Sequence, residues 1–251
     1  MTIEPDASDD WRLDEIAELV RGGAVGIIPT DTKYAFVADL ESRSAVQTLY
    51  DLKGAGSSKP MSILCRGFSD IDTYTQGFPD NVVAGRQQSF KLARLCLPGP
   101  YTFILNASRK NLPKVCLQDG GSGGGGKNCK VRRTVGVRVS ADPVCAALLS
   151  RLDRPLLAST VPNNLLEEDE DDDDFFGIET PQDPATMADA YEKLGLGYMV
   201  DAGVRVNPPS TVIDLTTGTP KLLRRGAGDA SLWVDEDEEE YREDEEDAWG
   251  F

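Results

Sequence analysis

Histidine is entirely absent from the 251 residues of this chain. Its absence excludes Ser-His-Asp and Cys-His catalytic arrangements, His-based zinc sites and imidazole general bases. No run of about 18 apolar residues occurs either, so the sequence offers no candidate for a membrane-spanning helix. The first ten residues carry acids and no apolar block, and we therefore predict neither a secretory signal nor an Arg-rich transit peptide there.

Cysteine is scarce, and none of the cysteines forms a C-x-x-C pair. The five positions are Cys65, Cys96, Cys116, Cys129 and Cys145. Their odd number and loose spacing argue against a zinc site or a disulfide framework. Cys65, Cys96 and Cys145 lie in apolar stretches and are predicted to be small core residues. A reducing compartment fits best, so we expect a cytoplasmic protein, with an organelle as the alternative if the start is truncated.

The negative charge is concentrated in two segments. The chain has a formal net charge of −17. Residues 167–174 are eight consecutive acids, and residues 235–247 hold eleven acids and one arginine. Because these two segments together carry the whole excess of negative charge, the rest of the chain is close to neutral and can still present a basic cleft to an anionic ligand. Both acidic segments are typical of disordered, solvated chain.

Apolar periodicity predicts alternating helices and strands. Helices are predicted at 11–21, 42–53, 80–95, 144–152 and 185–194, and strands at 24–28, 34–37, 61–65, 101–105, 134–139, 156–159, 197–200 and 211–215. This alternation indicates an α/β fold, a single domain with a twisted mixed sheet and helices on both faces. The predicted divisions are a disordered N-terminus at 1–10, the domain at 11–232 with flexible insertions near 118–130 and 164–182, and a disordered acidic tail at 233–251.

A glycine tract at residues 121–127 matches the spacing of a phosphate-binding loop, G-x-x-x-x-G-K. The next residue is Asn128, which lacks the hydroxyl that holds Mg²⁺ in such loops. Residues 131–139 are predicted as strand, whereas the mechanism requires a helix N-terminus. We therefore interpret the match as a consequence of glycine richness.

The segment 29–34, Pro-Thr-Asp-Thr-Lys-Tyr, follows a predicted buried strand. Ligand contacts are commonly placed at such strand ends in α/β sheets, and short polar side chains with a tyrosine can bind an amino-acid-sized ligand. The competing interpretation is a proline-initiated turn in which Asp31 and the threonines bond their own backbone.

Among the cations, Lys53 suits either a helix C-terminus or a phosphate, and Arg138 lies among valines of a strand.

The order of these segments along the chain is more specific than any one of them. The series is Pro-Thr-Asp-Thr-x-Tyr at 29–34, Lys53, Lys59-Pro60, Pro-Gly-Pro-Tyr-Thr at 98–102, Gly-Val-Arg-Val at 136–139, Ala158-Ser159, Ser-Thr-Val-Ile-Asp at 210–214 and Arg225-Gly226. Over roughly residues 12–230 it resembles the YrdC-like family of threonylcarbamoyl-AMP synthases. The resemblance implies a single twisted α/β domain of the YrdC-like, DHBP-synthase-like type with a positively charged concave face.

The resemblance also implies a reaction. Members of the family join L-threonine, bicarbonate and ATP, with Mg²⁺, into threonylcarbamoyl-AMP and pyrophosphate. The threonylcarbamoyl group then passes to adenosine 37 of certain tRNAs through partner proteins of tRNA modification. Such chemistry depends mainly on positioning and on neutralising phosphate charge, so the lack of histidine is no obstacle. No membrane partner is implied.

Site residues carried over from the resemblance fall into two groups. Those expected to bind the amino acid and carbamate are Thr32, Tyr34, Arg138, Ser210 and Thr211. Those expected to bind the nucleotide are Lys53, Ser58, Lys59, Thr102, Ser159 and Arg225. Neither a catalytic acid or base nor a protein metal ligand is implied.

Two departures from the family pattern leave the activity open. The family's Lys-x-Arg is here Lys53-Gly54-Ala55, and its Ser-Ala-Asn is here Ser159-Thr160-Val161. A charged phosphate contact contributes roughly 1.5–3 kcal/mol, and valine neither donates nor accepts a hydrogen bond. Both losses resemble the YciO branch of the family. The alternatives are other chemistry on the threonylcarbamoyl group of tRNA, or a non-catalytic protein that binds double-stranded RNA or tRNA by shape, with the acidic tail as an inhibitory mimic of nucleic acid.

Overall fold

Helices and strands alternate in a computed structural model that describes residues 1–54, 60–80, 82–83, 87–117, 132–162, 181–217 and 219–233. The helices are α1 Leu13–Arg21, α2 Arg43–Lys53, α3 Phe68–Tyr74, α4 Ser89–Cys96, α5 Pro143–Ser150 and α6 Pro184–Glu192. The strands are β1 Gly26–Ile28, β2 Ala35–Asp39, β3 Ser62–Leu64, β4 Val82–Val83, β5 Gln87–Gln88, β6 Tyr101–Asn106, β7 Thr134–Arg138, β8 Leu156–Thr160, β9 Tyr198–Met199, β10 Thr211–Asp214 and β11 Lys221–Arg224. Short 3₁₀ turns span Asp10–Arg12, Lys114–Leu117 and Ala230–Leu232.

Nine of these strands form one mixed sheet in the order β11-β10-β6-β7-β3-β8-β2-β1-β9. The pairs β3–β7, β6–β10 and β1–β9 are parallel, and the remaining neighbours are antiparallel. Strands β4 and β5 pair only with each other. The predicted mixed sheet of an α/β domain is thus confirmed.

Helices cover both faces of the sheet, as predicted. On one face α1 and α5 bury Ile16 and Leu148 against Val37 and Leu64. On the other face α2, α3, α4 and α6 enclose a larger core around Phe103. In β1, β2, β3 and β8 apolar side chains alternate between these two layers, so this part of the sheet is fixed in register from both sides.

One part of the sheet has an open face. In β6 the residues that point away from the larger core are only half-buried, and the same holds for their partners in β7 and β10. We call this surface the open face and define it by Thr102, Ile104, Asn106, Gly136 and Val212, which are joined by the pairs Ile104–Gly136 and Val212–Thr102. It gives the molecule a polar surface beside the packed part of the sheet.

Helix ends follow the local sequence signals. Ser42 accepts a hydrogen bond from the N–H of Ala45 at 3.3 Å and starts α2, which stops at Gly54 with a φ of +86°. The predicted cap at Asp142 is confirmed, since its carboxylate accepts from the N–H of Cys145 at 2.8 Å and Pro143 occupies the first turn.

The helix predicted at 80–95 is wrong in its first half. Helix α4 begins at Ser89, and the preceding residues include the short paired strands β4 and β5. Both short strands lie where the sequence analysis predicted the first turns of this helix. Helix α3 and strand β11 were not predicted, because seven and four residues are too short to establish a periodicity.

Three predicted domain boundaries need correction. The N-terminus is part of the fold, since Ile3 is 1% exposed and its N–H donates to the carbonyl of Asp201 at 2.8 Å. Gln182, expected in a flexible insertion, is 4% exposed, and Trp233, expected in the tail, is 1% exposed against Phe103. Burial of their apolar side chains explains why Ile3 and Trp233 belong to the folded domain. The remainder of the two insertions and of the tail, and the glycine tract, lie outside the described residues.

Cysteine burial agrees with the prediction. Cys65, Cys96 and Cys145 are buried free thiols, and Cys116 is also buried and free. Burial raises the pKa of the Cys65 and Cys145 thiols, so both stay neutral. Within the described ranges, no three His, Cys, Asp or Glu residues come together in a group that could hold a metal ion. None of the described helices is long and apolar enough to cross a membrane.

Candidate active site

Arg138 is the centre of a buried polar cluster at the end of β7. Its Nη2 donates to Oγ1 of Thr32 at 2.6 Å and to Oγ1 of Thr30 at 3.2 Å, and it also binds the carboxylate of Asp31. Arg138 is 8% exposed, so this arginine is buried and does not face the solvent. Its Nε is buried and has no hydrogen-bond partner among the described residues. An unused buried donor on a guanidinium is suited to a carboxylate or phosphate oxygen.

Asp31 fixes the segment 29–34 to the chain that follows β7. Its carboxylate accepts hydrogen bonds from the hydroxyl of Ser140 and the N–H of Ala141, both at 3.0 Å. The backbone N–H of Asp31 donates back to Oγ of Ser140 at 3.1 Å, and Asn207 donates to its carbonyl at 3.2 Å. The turn interpretation was therefore incomplete, because most of these partners are remote in sequence.

Tyr34 lies inside the protein rather than on the site surface. Its hydroxyl donates to the carbonyl of Gly203 at 2.8 Å and accepts from the N–H of Ala202 at 3.0 Å. Burial raises the pKa of Tyr34 to about 12. The side chain is 0% exposed, so the hydroxyl positions the 202–203 turn, and the expected contact with substrate remains a prediction.

Gln182 was missed as a functional residue because it was assigned to an insertion. Its Oε1 accepts from the N–H of Tyr34 at 2.6 Å, and its Nε2 donates to the carbonyl of Val161 at 2.7 Å. It therefore joins the start of β2 to the end of β8. The available signal was the Asp183-Pro184 helix start that follows it, which marks where ordered chain resumes.

A second hydroxyl cluster joins β6 to β10. Oγ1 of Thr102 and Oγ of Ser210 are 2.8 Å apart, and Nη2 of Arg224 donates to the carbonyl of Ser210 at 2.8 Å and to its Oγ at 3.2 Å. The hydrogen bonds to Ser210 thus come from Arg224, the neighbour of the predicted Arg225. Arg224 is placed there by its pairing with Val212 across the strands.

The two clusters are neighbours on one face. Phe103 and Val137 are paired, so Thr102 and Arg138 occupy the next position along the same antiparallel ladder. Gly136 leaves the space beside Thr102 free of a side chain, because a Cβ there would lie 3.2 Å from Cγ2 of Thr102. The site therefore combines a guanidinium with hydroxyls on adjacent strands.

The other predicted site residues are not all brought to this surface. Thr211 is fully buried and its hydroxyl donates to the carbonyl of Gly228 at 2.6 Å. Ser159 pairs with Phe36 and so faces the larger core, at 9% exposure. Lys53 is half-buried at the end of α2, and Arg225 is exposed. Ser58, Lys59 and Ala55 lie outside the described residues.

The loop at 202–207 was also missed by sequence reasoning. Nη2 of Arg205 donates to the carboxylate of Asp142 at 2.7 Å, and its guanidinium lies 5.8 Å from the ring centre of Tyr34. This loop therefore contacts both the segment after β7 and the tyrosine that ends the 29–34 segment. Its valines, Val204 and Val206, are more than half exposed.

A family model for the Sua5/YciO/YrdC domain, described as telomere recombination, matches residues 18–226. The chain belongs to the Sua5/YciO/YrdC family. The match spans most of the chain and includes both polar clusters, so the resemblance to a YrdC-like family is confirmed.

Relatives of two kinds are found within the family. The uncharacterized protein YciO of Escherichia coli (strain K12) is 31% identical over 232 residues, 92% of this chain and 97% of that protein. Threonylcarbamoyl-AMP synthase of Pyrococcus abyssi is 27% identical over 220 residues, 87% of this chain and 55% of that protein. The chain therefore resembles a YciO protein over its whole length and a synthase over about half of the synthase.

Solved structures of this family share the fold. The crystal structure of E. coli YciO superposes with a TM-score of 0.71 at 28% identity and covers 93% of this chain and 98% of that one. P. abyssi Sua5 in complex with L-threonine gives a TM-score of 0.68 at 24% identity over 90% of this chain and 57% of that one. The single-domain α/β architecture of the Sua5/YciO/YrdC family is thus present here.

Proposed function

We propose that this protein binds L-threonine beside ATP at the end of the open face where Thr102 adjoins the Arg138 cluster, and joins them with bicarbonate into threonylcarbamoyl-AMP. The observation that carries the proposal is the buried Nε donor of Arg138, which adjoins the hydroxyls of Thr30 and Thr32 and lies one strand from Thr102. A guanidinium with an unused donor binds a carboxylate, and flanking hydroxyls bind its amine or hydroxyl groups. The presence of named threonylcarbamoyl-AMP synthases in the family supports this reaction.

The proposed chemistry requires little from acids or bases of the protein. The threonine amine adds to carbon dioxide or bicarbonate, and the resulting carbamate oxygen attacks the α-phosphorus of ATP and displaces pyrophosphate. Lys53 and Arg225, with Ser58 and Lys59, are the proposed nucleotide contacts, whereas Ser159 faces the larger core and is not among them. Mg²⁺ would arrive on the triphosphate as part of the substrate, because this ion is held largely by substrate phosphates.

The direct test is pyrophosphate release by the purified protein. With threonine, bicarbonate, Mg²⁺ and radiolabelled ATP, release should depend on threonine and should fall strongly in Arg138→Gln. The matched control is Arg12→Gln, which removes another ion-paired arginine on the far N-terminal turn. If the protein releases no pyrophosphate in response to threonine, under conditions where a known synthase does, the synthesis proposal is contradicted.

A second candidate is recognition of double-stranded RNA or tRNA without adenylate synthesis. One observation favours it: Val161, which stands where the family has asparagine, is 0% exposed and packs in the larger core. A valine at that position offers a nucleotide neither a donor nor an acceptor, and Ala55 lacks the charge of the family's arginine. Binding of duplex RNA should weaken steeply between about 50 and 200 mM salt, because it depends on phosphate contacts. Affinity that is flat over this range would exclude it.

Later steps follow from the first proposal. We infer that the threonylcarbamoyl group is destined for adenosine 37 of tRNA, transferred through partner proteins. Other chemistry on the same group of tRNA is the related alternative, since the chain resembles YciO over its full length. Measuring threonylcarbamoyladenosine in tRNA from cells that lack the protein would separate the two, because loss of synthesis lowers this nucleoside and loss of removal raises it.

A further inference from the structure

A polar cavity lies at the opposite end of β6 and β7 from Thr102 and Arg138. Its volume is about 400 Å³, and its lining consists of Gln76, Asn106, Ala107, Arg109 and Arg133. Asn106 is four residues from Thr102 along β6, which corresponds to about 13 Å of extended strand. The volume is within the range of small-molecule sites, roughly 300–1,000 Å³.

The walls of this cavity are held together by backbone hydrogen bonds between three segments. The N–H of Gln76 donates to the carbonyl of Asn106 at 2.8 Å, and the N–H of Ala107 donates to the carbonyl of Arg133 at 2.8 Å. Ser108 donates to the carbonyl of Tyr74 at 2.9 Å, and Thr75 and Ala107 form an isolated β-bridge. The backbone under the cavity is therefore part of the sheet, at the end of β6 and the start of β7. The backbone positions of the lining residues are fixed by these hydrogen bonds.

The charge of the cavity is unbalanced. Among the described residues, no carboxylate lines it and none forms an ion pair with Arg109 or Arg133. By contrast, several arginines do bind carboxylates of described residues, among them Arg12, Arg21, Arg66, Arg138, Arg151, Arg154 and Arg205. In a chain of net charge −17, two adjacent arginines without carboxylate partners create a local positive site.

We propose that this cavity binds a phosphate-bearing anion at a site separate from the proposed threonine and nucleotide site. Guanidinium groups bind phosphate oxygens through paired hydrogen bonds, and the amides of Asn106 and Gln76 add neutral donors. The phosphate can belong to a small ion or to the backbone of RNA, since both present the same oxygens. The proposal stands on the cavity and its arginines, and it does not require the protein to make threonylcarbamoyl-AMP.

Backbone amide NMR resonances of the full chain provide the test. Inorganic phosphate and, separately, an RNA duplex of about 16 base pairs are titrated in the absence of ATP, whose own phosphates would compete for the cavity. The test variant is Arg109→Gln with Arg133→Gln. The control variant is Arg43→Gln with Arg94→Gln, which removes the same charge from the exposed faces of α2 and α4. The two single variants of the cavity are measured as well, in case the double variant folds poorly.

We expect phosphate to shift the resonances of residues 106–109 and 133 and the affinity to fall at least about tenfold in the cavity variant but not in the control. Shifts at these residues with duplex RNA but not with phosphate would support the site and assign the phosphate to a nucleic-acid backbone. The proposal is overturned if neither probe shifts them or if the control loses as much affinity.

Discussion

Arg138 and Asp31 are 107 residues apart in the sequence and form a buried ion pair between β7 and the segment after β1. Their side chains are 10% and 11% exposed. The carboxylate of Asp31 also accepts bonds from Ser140 and Ala141, so it orients the guanidinium rather than merely neutralising it. This arrangement leaves Nε of Arg138 buried and without a hydrogen-bond partner among the described residues.

Replacing Asp31 by asparagine should strongly destabilise the protein. The change leaves a buried guanidinium without a countercharge, for which the expected loss in the free energy of unfolding is about 3–5 kcal/mol. Urea denaturation of Asp31→Asn measures it, and Asp72→Asn serves as the exposed control. Equal stability of the two variants would show that the pair has no structural role.

Gln182→Ala should destabilise the junction of β2 and β8. The N–H of Tyr34 and the carbonyl of Val161 would each lose a buried partner, at a cost of about 1–3 kcal/mol per group. The control is Gln47→Ala, an exposed glutamine of α2 that bonds only Asp51. A difference between the two variants of less than about 0.5 kcal/mol in urea denaturation would contradict this role.

Tyr34→Phe should show a pH-dependent loss of stability. Below pH 10 the variant lacks the bonds to Ala202 and Gly203 and is less stable than the wild type. Burial raises the pKa of Tyr34 to about 12, whereas an unfolded tyrosine ionises near 10. Above pH 10 the unfolded wild type therefore loses the proton first, and its contribution to stability is lost as pH rises towards 12.

Urea unfolding from about pH 9 to about pH 11.5 follows that difference. The stability gap between wild type and Tyr34→Phe should shrink over this interval. Tyr241→Phe, in the acidic tail, is the matched control and should show no gap at any pH. A gap that stays constant across the interval would mean that the Tyr34 hydroxyl is not held as described.

Ala55→Arg should raise the affinity for ATP. The change restores the charge of the family's Lys-x-Arg pattern beside Lys53, and a charged phosphate contact contributes roughly 1.5–3 kcal/mol, or about ten- to a hundredfold in affinity. Ala55→Gln is the control, since it adds length without charge. Unchanged ATP affinity in both variants would argue that the nucleotide does not approach this segment.

Local signals in the sequence were sufficient for most of the fold. The helix at 42–53 and the strand at 101–105 depend on residues close together in the sequence, so both could be predicted without the structure. Burial of Ile3 and Trp233 depends on contacts across the fold, which no local pattern records. Both were consequently placed in disordered termini.

The site shows the same division between local and remote interactions. The valine-rich strand indicated that Arg138 leaves the apolar face, but its partners Thr30 to Thr32 are more than 100 residues away in sequence. The Asp183-Pro184 helix start marks where a helix begins after Gln182, but no local pattern shows that its amide bonds Tyr34 and Val161. Arg224 and Arg225 are adjacent and chemically equal, so only strand pairing shows which of them binds Ser210.

Calorimetry with ATP and threonine together tests the central claim most directly. Threonine should bind the wild-type protein more tightly in the presence of ATP and Mg²⁺, and Arg138→Gln should lose at least about tenfold in threonine affinity while Arg12→Gln keeps the wild-type value. If the wild-type protein gives no binding heat with both ligands at millimolar concentration, and crystals soaked in both show neither, the proposed threonine and nucleotide site is contradicted.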